Sequence, residues 1–328
     1  MLKKVLNWLR PAASRASEEI DCRTVGLGDM VKNGWFSNES GDVAPGFRVG
    51  KDDVLVDVGC GEGGVTMFAA RQGAKVIFSD LDADKVAGLE AKLRERGVAE
   101  ATGLVGDSNP LAIGDGVASR VVCMEVLEHV DEPDAVLAEL VRVGKPGALY
   151  LLTVPDAAGE LLQKRFASPN YFNKPNHIHI FQRERFASLV RNAGLEILDV
   201  QFTGAHWMLW MCFYWALERA SGREPEGPIL DTIVPPFHPL LQSWSRTWHY
   251  MTEMPEAAPV RRALDEFMPK SQVIIARKPC RREFISRRHP RCSARFPSGR
   301  SPSPCGEPPR RGTDVCPSEC PAPQRSDR

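Results

Sequence analysis

The chain has 328 residues, 42 basic against 42 acidic side chains and a 43% apolar fraction, which suits one large or two small globular domains. No apolar run reaches the roughly 20 residues of a membrane-spanning helix; the longest, Trp207 to Leu217, is too short. A spanning helix, a fibrous chain and a small disulfide scaffold are thereby excluded.

The first ten residues place Leu2, Val5, Leu6 and Leu9 at helical spacing beside Lys3 and Lys4. Asn7 and Arg10 interrupt the apolar stretch, so a short docked helix fits better than a secretory signal. Residues 1–44 are therefore expected to form an N-terminal helical segment. From 45 onward apolar runs alternate with amphipathic ones. Strands are predicted over 54–58, 76–79, 103–105, 120–124 and 148–154, and helices over 64–72, 83–96 and 133–143. Such strand–helix repeats give a doubly wound parallel sheet, an α/β fold whose ligands sit outside the carboxyl ends of the strands.

The landmarks fall at those ends. The first strand runs into Asp57-Val58-Gly59-Cys60-Gly61-Glu62-Gly63-Gly64, where glycines allow tight turns and close backbone approach to a ligand. Asp57, two residues before the first glycine, suits a ligand with a positive end. The second strand ends at Asp80-Leu81, an acid placed to accept from ribose hydroxyls. Gly106-Asp107-Ser108 follows the third strand, and the Asp107 carboxylate can accept from an adenine amino group. Met124-Glu125-Val126-Leu127-Glu128-His129 follows the fourth. Gly144-Lys145-Pro146-Gly147 reads as a turn before the fifth.

In this order and spacing the motifs resemble those of the class I S-adenosylmethionine-dependent methyltransferases, nearest to the members that methylate quinones, sugars and small molecules. The likeness covers roughly residues 45–203 and resumes at 271–278. It implies a seven-stranded, mostly parallel sheet whose last strand, 272–277, is inserted antiparallel beside the fifth, with 195–202 at the edge. The methyltransferase domain is then 45–278, with residues 203–270 as an inserted helical lid. S-adenosyl-L-methionine is the implied cofactor, held by Asp57, Gly59, Cys60, Gly61, Gly63, Asp80, Leu81, Gly106, Asp107, Ser108, Met124, Glu125 and His129. The sequence departs from the family at Ala148, where a second glycine is usual, and at Ser119-Arg120, where an aromatic-acidic pair is frequent.

His177 and Phe181 match a His-x-x-x-Phe arrangement common in that family. His177 leads as general base for a hydroxyl acceptor, with His129 and His206 behind it. His177 and His179 share a face, but no Cys or third ligand lies near in sequence, so no metal is expected. The 203–270 stretch is rich in aromatic residues and reads either as a buried helix pair or as a lid for a hydrophobic acceptor. On the second reading Trp207 and Trp210 join His177 and Phe181 in substrate binding.

The last 51 residues change character, with 12 basic against 5 acidic side chains, ten Pro and five of the nine Cys. They are poor in apolar residues, and 279–328 is expected to be a disordered tail. The remaining body carries 30 basic and 37 acidic groups, which disfavours nucleic acid as a partner. The expected partner is a small-molecule, lipid-linked or glycan acceptor, and the expected place is the cytoplasm, with peripheral membrane contact if the acceptor is lipid-linked. Two rivals stand beside this reading. A nicotinamide-dependent oxidoreductase would use Gly59, Gly61 and Gly64 but leaves Gly106-Asp107, Glu125 to Val130 and Lys145 to Gly147 without a role. A methyltransferase-like binding or scaffold protein would keep the fold without turnover.

Overall fold

The computed structural model describes residues 21–224 and 227–280. The expected helix within 1–20 and the expected tail beyond 280 lie outside the described residues. Helix α1 (Cys22–Lys32) leads to a small hairpin, β1 (Asp42–Ala44) and β2 (Phe47–Arg48). The hairpin straddles the expected border at 44/45. Its strands are too short to show a periodicity, and Phe47, Val43 and Trp35 bury it against the main sheet.

The main sheet follows in alternation: β3 (Val54–Val58), α2 (Gly64–Arg71), β4 (Lys75–Asp80), α3 (Ala83–Glu95), β5 (Ala101–Val105), β6 (Ala118–Met124), α4 (Pro133–Val143) and β7 (Gly144–Pro155). Helices α5 (Ala157–Gln163) and α6 (Arg183–Asn192) precede β8 (Glu196–Thr203), and β9 (Ser271–Arg277) closes the sheet. The spatial order is β5-β4-β3-β6-β7-β9-β8, with β5 to β7 parallel and β9 antiparallel to both neighbours. The expected seven-stranded α/β fold is what forms.

Central strands such as β3 are buried on both faces, as a parallel sheet covered by helices requires. Val56, Val58, Val121, Cys123 and Leu152 pack on one face with Leu137, Leu140, Phe186 and Val190. Leu55, Val76, Phe78 and Val122 pack on the other with Phe68, Leu89 and Leu93. Period-two alternation thus feeds two cores.

Gly144 to Gly147 is not the turn its composition suggests. It lies inside β7 as a bulge, where the pairing register jumps from Ala118 opposite Gly144 to Arg120 opposite Leu149. The unusual pair Ser119-Arg120 stitches the sheet to its surroundings. Ser119 Oγ donates to Asp53 and accepts from Val54 N, while Arg120 donates to Arg48 O in the hairpin.

Between β8 and β9 the chain forms α7 (Ala205–Ser221), α8 (Pro239–Glu253) and α9 (Ala258–Phe267). This insertion has its own core of Trp210, Met211, Tyr214, Trp215 and Phe237. It is tied to α1 through Asp29, which accepts from Trp248 Nε1 at 2.9 Å and pairs with buried Arg261. Gly26 in α1 allows the approach, because a Cβ there would lie 2.3 Å from the Trp207 indole nitrogen.

Candidate active site

The parallel strands place the ends of β3, β4, β5 and β6 along one edge of the sheet. The loop after β3 is built by backbone chemistry. Gly59, Gly61 and Gly63 adopt φ of +71°, +50° and +81°, where a side chain is disfavoured. Two of them are also packed shut: a Cβ on Gly59 would lie 2.3 Å from Val126, and one on Gly63 2.3 Å from Leu89. Gly61 is different, since nothing stands within 4 Å of its Cβ position. The loop therefore presents an open face at Gly61.

Asp80 anchors this face. Its Oδ2 accepts from Gly61 N at 2.9 Å and its Oδ1 from Asp82 N at 3.0 Å. A carboxylate offers about four acceptor sites, so each oxygen retains capacity for a ligand hydroxyl. Leu81 beside it is 73% exposed, an apolar side chain free to lie against a flat ring. Gly106 N donates to Asp80 O, which brings the loop after β5 alongside. There the exposed Asp107 accepts from Ser108 N and Oγ.

Asp57 points inward, accepting from Thr66 Oγ1 at 2.6 Å. Burial raises its pKa to about 6, against the lowering effect of Thr66. Cys60 is buried, and burial pushes its thiol up to about 12, which makes it a packing group rather than a nucleophile.

The loop after β6 carries a denser polar cluster. Glu125 adopts φ +54°, a rare conformation for a non-glycine residue. Its N–H donates to Thr153, Oε1 accepts from Thr153 Oγ1 at 2.9 Å, and Oε2 pairs with Lys270 Nζ at 2.9 Å. Burial works to raise its pKa, but Lys270 and Thr153 hold it below the ordinary carboxylate value. Glu128 is wholly buried with both oxygens unpartnered. Burial and the Glu125 charge hold its pKa well above the ordinary value.

His177 meets this cluster. Its Nδ1 lies 2.9 Å from Oε2 of buried Glu160 on α5, and its ring stands 5.0 Å from the His129 ring and 4.5 Å from Tyr171. His129 places Nδ1 at 3.1 Å from the carbonyls of Pro175 and Asn176, and burial lowers its pKa. Carbonyls only accept, so Nδ1 carries the hydrogen and Nε2 turns toward Glu128 Oε1, 3.7 Å away. Ligand-capable atoms of Glu128, His129 and His177 lie within 4.8 Å of one another. The expectation that no third ligand stands near His177 is therefore not met; this donor set can hold a divalent cation.

Four other expected residues are not at the site. His206 is buried among Trp207, Trp244 and Trp248, with Nε2 at 3.4 Å from Ser245 Oγ and a pKa lowered to about 4 by burial. It is a core histidine, not a base. Phe181 is buried against Phe186 and bridges Asp156 of the chain leaving β7, so it anchors the loop instead of lining a substrate cavity. Trp210 is fully buried, with ring contacts to Trp207, Tyr214 and Phe237. Trp210 and Trp207 pack inside the insertion and against α1, and the aromatic line to His177 runs through Trp215 and Tyr171.

Glu160, Thr153, Tyr171 and Lys270 belong to the cluster and were missed by sequence reasoning. The one available signal was Lys270, a cation immediately before the antiparallel strand β9, whose start lies beside the end of β7.

Residues 43–200 match a family model described as a methyltransferase domain. The ubiquinone biosynthesis O-methyltransferase of Methylococcus capsulatus is 39% identical over 160 residues, covering 45% of this chain and 65% of that protein. Its counterpart from Sodalis glossinidius is 29% identical over 163 residues, covering 45% and 64%. The chain thus spans a little under two thirds of the length of these relatives. Among solved structures, the [4+2]-cyclase SpnF superposes with a TM-score of 0.48 at 20% identity, covering 82% of this chain and 85% of that one.

Proposed function

We propose, for a chain that belongs to the class I S-adenosylmethionine-dependent methyltransferases, that it transfers a methyl group to an oxygen of a small acceptor with a hydrophobic part, of the quinone-precursor kind. The observation that carries the reading is the open face at Gly61, edged by Asp80 and Leu81 and placed beside the His177 cluster. These residues fit the cofactor: Asp80 keeps acceptor capacity for ribose hydroxyls, and Gly61 leaves room where a Cβ would intrude. The relatives' O-methyl transfer in ubiquinone biosynthesis supports oxygen as the acceptor atom.

S-adenosylmethionine, when bound, would supply a methyl carbon activated by its sulfonium. The protein's work is to align the partners and exclude water. His177, with Nδ1 engaged, offers Nε2 to the acceptor hydroxyl as general base. Lys270 neutralises Glu125, which keeps the loop after β6 in its strained conformation.

No described helix is long and apolar enough to cross a membrane. An acceptor with a lipid tail would be met at a membrane surface, and exposed Tyr250, Met254 and Phe267 on the insertion suit peripheral contact. Calorimetric titration tests the core of the reading: S-adenosylmethionine should bind at one site per chain, and nicotinamide dinucleotide should give no heat. The reverse pattern would establish the oxidoreductase instead.

A further inference from the structure

We propose that the insertion carries a second binding site, separate from the methyl-transfer site, for a small neutral apolar molecule that presents a carbonyl oxygen. The site is a cavity of about 980 Å³ between the C-terminal half of α7 and residues 232–241. Trp210, Tyr214 and Leu217 line it from α7, and Val234, Phe237 and Leu241 from the facing segment. The helical residues stand four and three apart, so they share one face of α7. A cavity of this size, with largely apolar and aromatic walls and few polar groups, has the make-up of a small-molecule site.

The polar groups around the cavity decide what it takes. Trp210 is fully buried, and its Nε1 has no hydrogen-bond partner among the described residues. A buried indole N–H ordinarily finds an acceptor, and the neighbouring rings supply none. Tyr214 stacks on Trp210 with centroids 5.7 Å apart and planes at 10°, and Phe237 stands at 86° to it. The Tyr214 hydroxyl is engaged elsewhere. Thr232 Oγ1 gives its single hydrogen to Ile229 O at 2.7 Å, so Tyr214 Oη donates to Thr232 Oγ1, also at 2.7 Å. Trp210 N–H is therefore a spare donor in an apolar wall, and a ligand oxygen is its complement.

Charge at the rim is already balanced. Arg223 donates to both oxygens of Glu218, at 3.0 and 2.6 Å, and Glu224 adds a further acid to the lining. An anionic head would meet an occupied guanidinium and a carboxylate, which favours a neutral ligand. The cavity is also walled off from His177. Tyr214 touches Trp215, Trp215 touches Tyr171, and Tyr171 touches His177. None of the described residues of the His177 cluster or of the Gly61 face lines it. Its occupant is thus not the methyl acceptor, and the proposal stands independently of the function given above.

The test uses the full chain and two molecules of nearly one shape, benzophenone and diphenylmethane, which differ by a carbonyl oxygen. The carbonyl makes benzophenone the less hydrophobic of the two, so a purely apolar cavity would prefer diphenylmethane. Equilibrium dialysis of the radiolabelled compounds should show saturable binding, with benzophenone the tighter ligand. Trp210→Phe keeps an aromatic ring and deletes the N–H. It should weaken benzophenone by about fivefold, the worth of one hydrogen bond, and leave diphenylmethane within about twofold. Irradiation of bound benzophenone should attach it to peptides from 210–241. Diphenylmethane as the tighter ligand of wild type, equal losses for both compounds in Trp210→Phe, or attachment within 125–130 or 169–181 overturns the proposal. So does a lack of saturable binding up to the solubility limit, which would mean that water alone meets the N–H. If Trp210→Phe does not fold, the wild-type order of affinities and the attachment map decide by themselves.

Discussion

Gly61 and Gly63, two residues apart in the same loop, should separate binding from folding. Gly61→Ala meets no atom within 4 Å, and its only intrinsic cost is a φ of +50°. A left-handed alanine costs about 1–2 kcal/mol, and about 1 kcal/mol shifts the melting temperature of a domain this size by roughly 2–4 °C. The variant should therefore melt roughly 2–8 °C lower by calorimetric scan. Its new methyl stands on the open face, so S-adenosylmethionine affinity should drop at least about tenfold, equivalent to roughly 1.4 kcal/mol. Gly63→Ala pays a similar backbone cost at φ +81°, and in addition its Cβ falls 2.3 Å from Leu89 Cδ1. Overpacking adds about 1–3 kcal/mol, so its melting temperature should fall further than that of Gly61→Ala. A Gly61→Ala protein with wild-type cofactor affinity would refute the placement of the cofactor at this face.

Three further outcomes follow from the site and its supports. Asp80→Ala should weaken S-adenosylmethionine binding by about 2–4 kcal/mol, the worth of two charge-assisted hydrogen bonds; calorimetry that finds wild type and variant equal would remove Asp80 from the cofactor site. His206, with a folded pKa of about 4 against an ordinary 6.5, contributes stability that is present above pH 6.5 and lost as pH falls toward 4. Asp57 and Asp265, raised to about 6 by burial, act oppositely and add stability as pH falls through 6. Wild-type denaturant stability is thus partly balanced across this window, and His206→Leu should gain relative to wild type by roughly 2–3 kcal/mol between pH 7 and pH 4.5; a pH-independent difference would contradict the buried neutral ring. Arg261→Leu leaves the Asp29 carboxylate buried with only the Trp248 donor and should cost about 3–5 kcal/mol in denaturant unfolding, whereas a neutral effect would mean that the α1 anchor is not a buried pair.

The sheet was legible because its signal is local. Val54 to Val58 and Val76 to Ser79 are apolar runs closed by glycine or acid, and turn chemistry placed Asp57, Gly61 and Asp80 at strand ends without tertiary information. The β1–β2 hairpin was missed because strands of three and two residues carry no period. Gly144 to Gly147 misled because the same residues that break a strand also permit a bulge within one. The polar cluster around His177 was only half legible. His129 and His177 stood out by type, but Lys270 meets Glu125 across 145 positions and Glu160 reaches His177 only once α5 folds back under the 169–181 loop. The aromatic richness of the insertion signalled burial more than recognition, as Trp210, Trp215 and Trp248 show, and His206 was drawn into that core.

The most direct measurement of the central claim is methyl transfer itself. The protein is incubated with methyl-labelled S-adenosylmethionine and a cell extract, then partitioned between water and organic solvent, with Asp80→Ala run alongside. The proposed function predicts label in a base-stable ether in the organic phase, present with wild type and strongly reduced with the variant. Organic-phase label no greater with wild type than with Asp80→Ala would contradict it.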